Sequence, residues 1–146
     1  MIAQTIQLAL APVFALVAIG NILNLLSTRL GRVVDRSRAL QDRYANTVGI
    51  EHDIVVREIR LIDRRIKLIG RAVLFLVLAG LSIGLTVALL FIQGVTHVAL
   101  QHFAAASFTL AITLLMGGLV LFLIETRAAS AALQIPEEYL ERDRSI

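Results

Sequence analysis

The residues of this chain that could do chemistry are few, and the most suggestive ones stand inside apolar sequence. Asn21, Asn24 and Thr28 are followed at the same rhythm by Gly31, Asp35 and Asp42, with Ser27 beside them. Spacings of three, four and seven place such residues on one helix face. At 1.5 Å per residue, Asn21 lies roughly 12 Å back from the first charge, Arg29. If the surrounding run lies in a bilayer, an amide at that depth does not face lipid. It bonds a neighbouring helix, at about 0.6 kcal/mol per bond, or it lines a water-filled path on the axis of an oligomer. Arg29, Arg32 and Arg36 come next on the chain. A ring of them would form a basic mouth that favours anions, whereas singly they are the ordinary cytoplasmic anchor of a span. Glu125 falls at the same level and could pair with one of them.

Nothing else in the inventory points to catalysis. His52, His97 and His102 are the only histidines, and there is no cysteine. His97 and His102 are five apart, so one helical face does not present both, and a metal would need ligands from several copies. No hydroxyl stands beside a plausible base, and no glycine-rich phosphate loop is present. The expectation is therefore a protein that is not an enzyme and holds no metal or cofactor.

The elements that position these residues follow from how charge is distributed. Apolar residues make up 58% of the 146 and charged ones only 17%, against roughly 45–50% and 25% in soluble domains. No charged side chain occurs from Met1 to Thr28 or from Ala72 to Ile124. Runs of about 18 or more uncharged apolar residues read as membrane spans. The chain thus predicts an all-α membrane protein, one domain over residues 1–146, with three transmembrane helices at about 5–28, 72–92 and 103–124. A cleavable signal peptide is disfavoured because no basic segment precedes the first run.

Between the first two spans, residues 29–71 carry 11 of the 14 basic residues. Two apolar seams run through this stretch and on into the spans. Ile19, Leu23, Leu26, Leu30, Val33, Ser37, Leu40 and Tyr44 form one. Val55, Ile59, Ile62, Ile66, Ile69, Val73, Leu76 and Gly80 form the other. Their alternating steps of four and three predict that the first two helices extend into a cytoplasmic antiparallel helical hairpin of coiled-coil type, turning at 46–49. Asp53–Arg57 and Asp63–Lys67 are i,i+4 pairs on its surface, worth ~0.2–0.5 kcal/mol each. Within the spans, Gly80, Gly84 and Gly117 are small positions that let helices approach closely. Residues 125–146 form a cytoplasmic tail.

Orientation follows from the excess of arginine: the hairpin and the C-terminus face the cytoplasm and the N-terminus lies outside. In a membrane protein such an excess reports topology before nucleic acid, and Tyr44 alone does not make an aromatic interleaving of the basic residues. The expected partners are the lipid bilayer, further copies of the chain in a homo-oligomer, and anionic lipid against the arginine-rich hairpin.

Four stretches resemble one family. They are QLALAPVF (Gln7 to Phe14), TRLGRVVDRSRAL (Thr28 to Leu40), Glu58 to Arg71, and ETRAAS (Glu125 to Ser130). Together they are similar to a bacterial family of small integral membrane proteins, domain of unknown function 2721, over most of the chain up to about Ile135. The resemblance implies three spans in a bacterial inner membrane and transfers no functional residue. The function expected is that of a non-enzymatic homo-oligomeric assembly or interaction protein acting through its basic hairpin. The alternative is an oligomeric ion channel with the first helix lining the pore.

Overall fold

The computed structural model describes residues 2–96 and 98–132. Three helices make up the fold: α1 (Ile2–Tyr44), α2 (Ile50–Thr96) and α3 (Gln101–Ala132). All three are long and apolar enough to cross a membrane, and no strand occurs among the described residues. The expectations placed on His97 and on the charged end of the tail fall outside the described residues.

The large apolar side chains point outward as well as inward. Phe14, Leu81, Phe103, Leu110 and Met116 are all more than half exposed. On a soluble monomer a surface so continuously apolar would drive association. In a bilayer it is the ordinary outer face of a span. The chain is a small multi-pass membrane protein.

α1 runs unbroken from apolar to charged sequence, with Pro12 accommodated inside it. At its C-terminus the last carbonyls lack helical partners. Side chains supply them: the Asn46 amide donates to the Asp42 carbonyl at 3.0 Å, and the Thr47 hydroxyl donates to the Arg43 carbonyl at 3.2 Å. Gly49 then takes a φ of 70°, a conformation that other residues adopt at a cost. α2 begins at the next residue, and Glu51 and Asp53 in its first turn complement the helix dipole.

The core is written in steps of seven. Ile19, Leu26, Val33 and Leu40 are the buried row of α1, and Val55, Ile62, Ile69, Leu76 and Ile83 are a buried row of α2. These rows form one cluster. Apart from Ile83, they are alternate members of the two seams read from the sequence; Leu23, Leu30, Ile59, Ile66 and Val73 flank them, partly buried. Ion pairs fix the register. Arg43 pairs with Glu51 and Arg36 with Glu58, so seven residues back along α1 match seven forward along α2. The two helices therefore run antiparallel. Lys67 meets Asp63 at 2.7 Å, whereas Asp53 and Arg57 form no ion pair. On an exposed helix surface that pair is worth too little to hold two side chains in place.

α2 has a second buried row, Ala72, Ala79 and Thr86, and α3 packs on that side. Ser107 donates to the Ser82 carbonyl at 2.8 Å, sharing it with Thr86. Further along, a Cβ on Gly117 would lie 2.7 Å from the Phe75 ring, and one on Gly118 would lie 3.0 Å from Leu76. α2 is thus the central helix, with α1 and α3 laid along it and touching each other little. Steps of four drift around a helix. Of the small-residue row from Ala72 to Ala88, only Ala72 and Leu76 are buried, while Gly80 keeps ordinary contact with Leu16 and Gly84 is exposed with nothing within 4 Å.

The close approach at Gly117 gives a direct test. Gly117→Ala drives a methyl group into the Phe75 ring and should cost about 1–3 kcal/mol. Gly70→Ala, at an exposed helical position with open space, should gain up to about 1 kcal/mol from helix propensity. Circular dichroism of thermal unfolding in detergent should show the two melting temperatures moving in opposite directions.

Candidate functional site: a carboxylate shared by three helices

The next step of seven after Arg43 and Arg36 reaches Arg29. The next step on α2 after Glu51 and Glu58 reaches Arg65. Two like charges therefore arrive at the same level, where the ladder of opposite charges would otherwise continue. α3 resolves the conflict with Glu125, which is fully buried. Arg29 Nη1 donates to Glu125 Oε2 at 2.7 Å and to the Thr126 hydroxyl at 3.1 Å. Arg65 donates to Oε1 through Nη2 at 2.9 Å and Nε at 3.1 Å. Each carboxylate oxygen is thus held by a different arginine from a different helix. The Arg29 guanidinium also lies 5.1 Å from the centre of the Phe122 ring, a cation–π distance.

The two arginines are only partly exposed, at 34% and 28% of their side chains. Their charged hydrogen bonds are stronger than neutral ones, and the site lies at the boundary between charged and apolar sequence. It ties α1, α2 and α3 at one point and keeps one positive charge in excess. Among the described residues no group of histidines and acids is placed to hold a metal. Both oxygens of Glu125 are taken up by arginines, so in this arrangement the carboxylate acts as a clamp.

The sequence placed Glu125 at the level of Arg29, Arg32 and Arg36 as a partner for one of them; the structure selects Arg29, and Arg65 was not foreseen. A signal for it existed. Arg65 stands seven residues before Ala72 and fourteen before Ala79, in the row that meets α3, so a charge there needs a partner.

The remaining predicted residues are placed as follows. Asn21, Asn24, Thr28, Gly31 and Asp35 are all exposed on α1, away from α2 and α3. Thr28 donates to its own helix at the Asn24 carbonyl, 3.0 Å away. The Asn21 and Asn24 amides have no hydrogen bond within the described chain, and no side chain comes within 4 Å of a Cβ built on Gly20 or Gly31. Arg32 is exposed and forms no ion pair among the described residues. Arg36 joins Glu58, so it belongs to the α1–α2 ladder and not to the clamp. His52 packs against Tyr44 with ring centres 4.5 Å apart and planes tilted by 46° at the 45–49 turn.

Removing one member of a buried charge group strands the others, at a cost of about 3–5 kcal/mol. Glu125→Gln, which leaves two arginines facing each other, should unfold at markedly lower temperature. The triple change Arg29→Met, Glu125→Leu, Arg65→Met should recover most of that loss, because a packed apolar set replaces such a group at little cost. Thermal unfolding of the two variants in the same detergent measures both. Equal losses would mean that the carboxylate acts by its shape and not by its charge.

The family model described as Protein of unknown function (DUF2721) matches residues 9–135. No curated protein and no solved structure matches the chain. The matched range contains the Asn21–Asn24 face, the charge ladder, all three members of the clamp and the Gly117–Gly118 contact. On that match, which covers most of its length, the chain belongs to the DUF2721 family.

Proposed function

We propose that this protein is a non-enzymatic assembly protein of a bacterial inner membrane that works as a homo-oligomer, with α1 at the interface between copies. The observation that carries the reading is the outward face of α1. Asn21 and Asn24 stand exposed at apolar depth with no hydrogen-bond partner for their amides among the described residues, where lipid offers none. A second copy does. An amide side chain both donates and accepts, so the same face on two subunits is its own complement, as a symmetric interface requires. Gly20 and Gly31 on this face leave room for a second backbone, the pattern that membrane helices use to associate.

In this reading the charged half of α1 and α2 projects into the cytoplasm and the N-terminus lies outside, which the placement of arginine favours. Its exposed arginines, Arg32, Arg38, Arg57, Arg60 and Arg64, are available to a partner or to anionic headgroups at the membrane surface. Gly84, open on the single chain, is a second small position available to a neighbouring copy.

The chain has no cysteine, so introduced ones report cleanly. Asn24→Cys should form a disulfide-linked dimer in membranes under mild oxidation, while a cysteine at Leu81, on the lipid-facing side of α2, should not. Equal cross-linking at both positions, or none at Asn24, would remove α1 from the interface. Separately, cysteines at Asn46 and Thr96 should label from opposite sides of the membrane in intact cells. A channel lined by the same face is separable by flux. Ion passage above that of empty liposomes, abolished by Asn21→Leu with Asn24→Leu, would replace the assembly reading with a pore that this change dewets.

A further inference from the structure

α3 follows α2 only part of the way toward the 45–49 turn. Ser107 meets the Ser82 carbonyl and Glu125 meets Arg65, so 107 to 125 on α3 runs alongside 82 back to 65 on α2. On that register Ala132, seven past Glu125, is level with Glu58, seven before Arg65. α2 reaches on from there to Ile50, with α1 on one side and none of the described helices on the other. In this stretch Ile50, Ile54, Arg57, Leu61 and Arg64 stand at steps of four, three, four and three, which is one helix face. All five are exposed, Ile50 by 82%, Ile54 by 61% and Leu61 by 51%. Steps of seven back from Phe75, which lies against Gly117 of α3, give Leu68, Leu61 and Ile54. The bare face is therefore on the side of α2 that α3 takes.

Lipid does not cover it. Arg57 stands fifteen residues before Ala72, where the apolar run begins, and that is roughly 22 Å along a helix. A headgroup layer extends only about 5–8 Å beyond the hydrocarbon. Arg57 and Arg64 form no ion pair among the described residues. The face thus calls for a segment that is apolar and acidic, and the chain supplies one. Residues 133–146, LQIPEEYLERDRSI, lie outside the described part and follow directly on Ala132. They carry Glu137, Glu138, Glu141 and Asp143 against Arg142 and Arg144, with Ile135, Tyr139 and Leu140 among their apolar side chains. Pro136 followed by two glutamates is a sequence that begins a helix. Carried forward on the register of α3, Ile135 comes level with Val55 and Leu140 with Ile50. Glu138 comes level with His52, roughly 8 Å from Arg57 along the axis, a gap that the two side chains span. We propose that residues 133–146 are an intramolecular strap on this face, with Tyr139 on Ile54, Leu140 on Ile50 and Glu138 paired with Arg57. A protein that docks on the same face of the hairpin has to displace the strap. The proposal rests on the fold alone and not on the α1 interface.

The test uses the full chain, which has no native cysteine, in phosphatidylcholine nanodiscs. Leu140→Cys is combined either with Ile50→Cys on the face or with Asp42→Cys on α1. Asp42 lies at nearly the same height, next to the Arg43–Glu51 pair, but on the side of α1 away from α2 and α3. Eight extended residues from Ala132 span about 26 Å, so either cysteine is within reach of an undirected tail. Disulfide formation under mild oxidation is read on non-reducing gels and by peptide mass spectrometry. The Ile50 pair should link about tenfold faster than the Asp42 pair, the effect of burying one large side chain. Tyr139→Ser should remove most of that preference. Arg57→Glu should slow the link about two- to fivefold, on the scale of an exposed ion pair, and adding Glu138→Arg should restore it. Replacing a third of the lipid with phosphatidylglycerol should leave the rate unchanged. Equal rates for the two pairs, a link that joins two chains, a rate unmoved by Tyr139→Ser and Arg57→Glu, or a fall with phosphatidylglycerol as large as that from Arg57→Glu would each overturn the strap. The last two would give the face to another occupant, the third outcome to none that the tail supplies and the fourth to anionic headgroups.

Discussion

Two arginines on neighbouring helices reach the same level in this protein, and among the described residues the acid that satisfies both comes from the third helix. That constraint organises the structure around Glu125. Without α3, the antiparallel register of α1 and α2 would set Arg29 against Arg65, a like-charge contact at the edge of a low-dielectric region. With α3 in place, each guanidinium holds its own carboxylate oxygen. Taking a carboxylate fully out of water carries a desolvation penalty of several kcal/mol. Two charged donors and the neighbouring Phe122 ring offset it. Such a group adds little net stability over an apolar one of the same shape, but it joins all three helices at one level.

The seam that runs away from this point changes its solvent without changing its geometry. Toward the 45–49 turn, the rows flanking the core are charged and form the ladder of Arg36 with Glu58 and Arg43 with Glu51. These pairs are exposed and contribute about a kcal/mol or less each, so their effect is on register more than on stability. In the other direction the same seven-residue step continues through Leu26 and Ile19 on α1 and through Leu76 and Ile83 on α2, while the flanks become apolar and face lipid. A single helical repeat therefore serves both environments, and the outward side chains alone mark where the membrane begins.

Packing is uneven along the three helices. Near the clamp it is tight enough that two successive glycines are needed for Phe75 and Leu76 to fit beneath α3. At the far end Gln4, Gln93 and Gln101 line a cleft with Leu8 and Leu90, and among the described residues Gln93 Oε1 has no hydrogen-bond partner. The polar features that remain, the amide face of α1 and the amide-lined cleft, both lie outside the close-packed part. Among the described residues, they are places where the single chain leaves hydrogen-bonding capacity unused.

The sequence by itself determined the helical class, the three apolar runs and the spacing of the seams, because each depends on residues within one or two helical turns of each other. Periodicity is a local property, and so is the absence of charge from Ala72 to Ile124. The α1 face of Asn21, Asn24 and Thr28 was legible for the same reason. What sequence could not decide was which of several apolar rows on α2 would be covered. In the seam read from Val55 to Gly80, Ile62, Ile69 and Leu76 are buried while Ile59, Ile66 and Val73 are only partly so, and the row of Ala72, Ala79 and Thr86, outside that seam, is buried on the side where α3 packs. Arg65 in that row looked like one more solvated arginine, since its partner stands sixty residues away. Gly117 and Gly84 looked alike as small positions, yet the first meets Phe75 and the second meets nothing. The tertiary structure decided these points because burial on a central helix is set by two neighbours at once, and the helix's own pattern carries no mark of which side each neighbour will take.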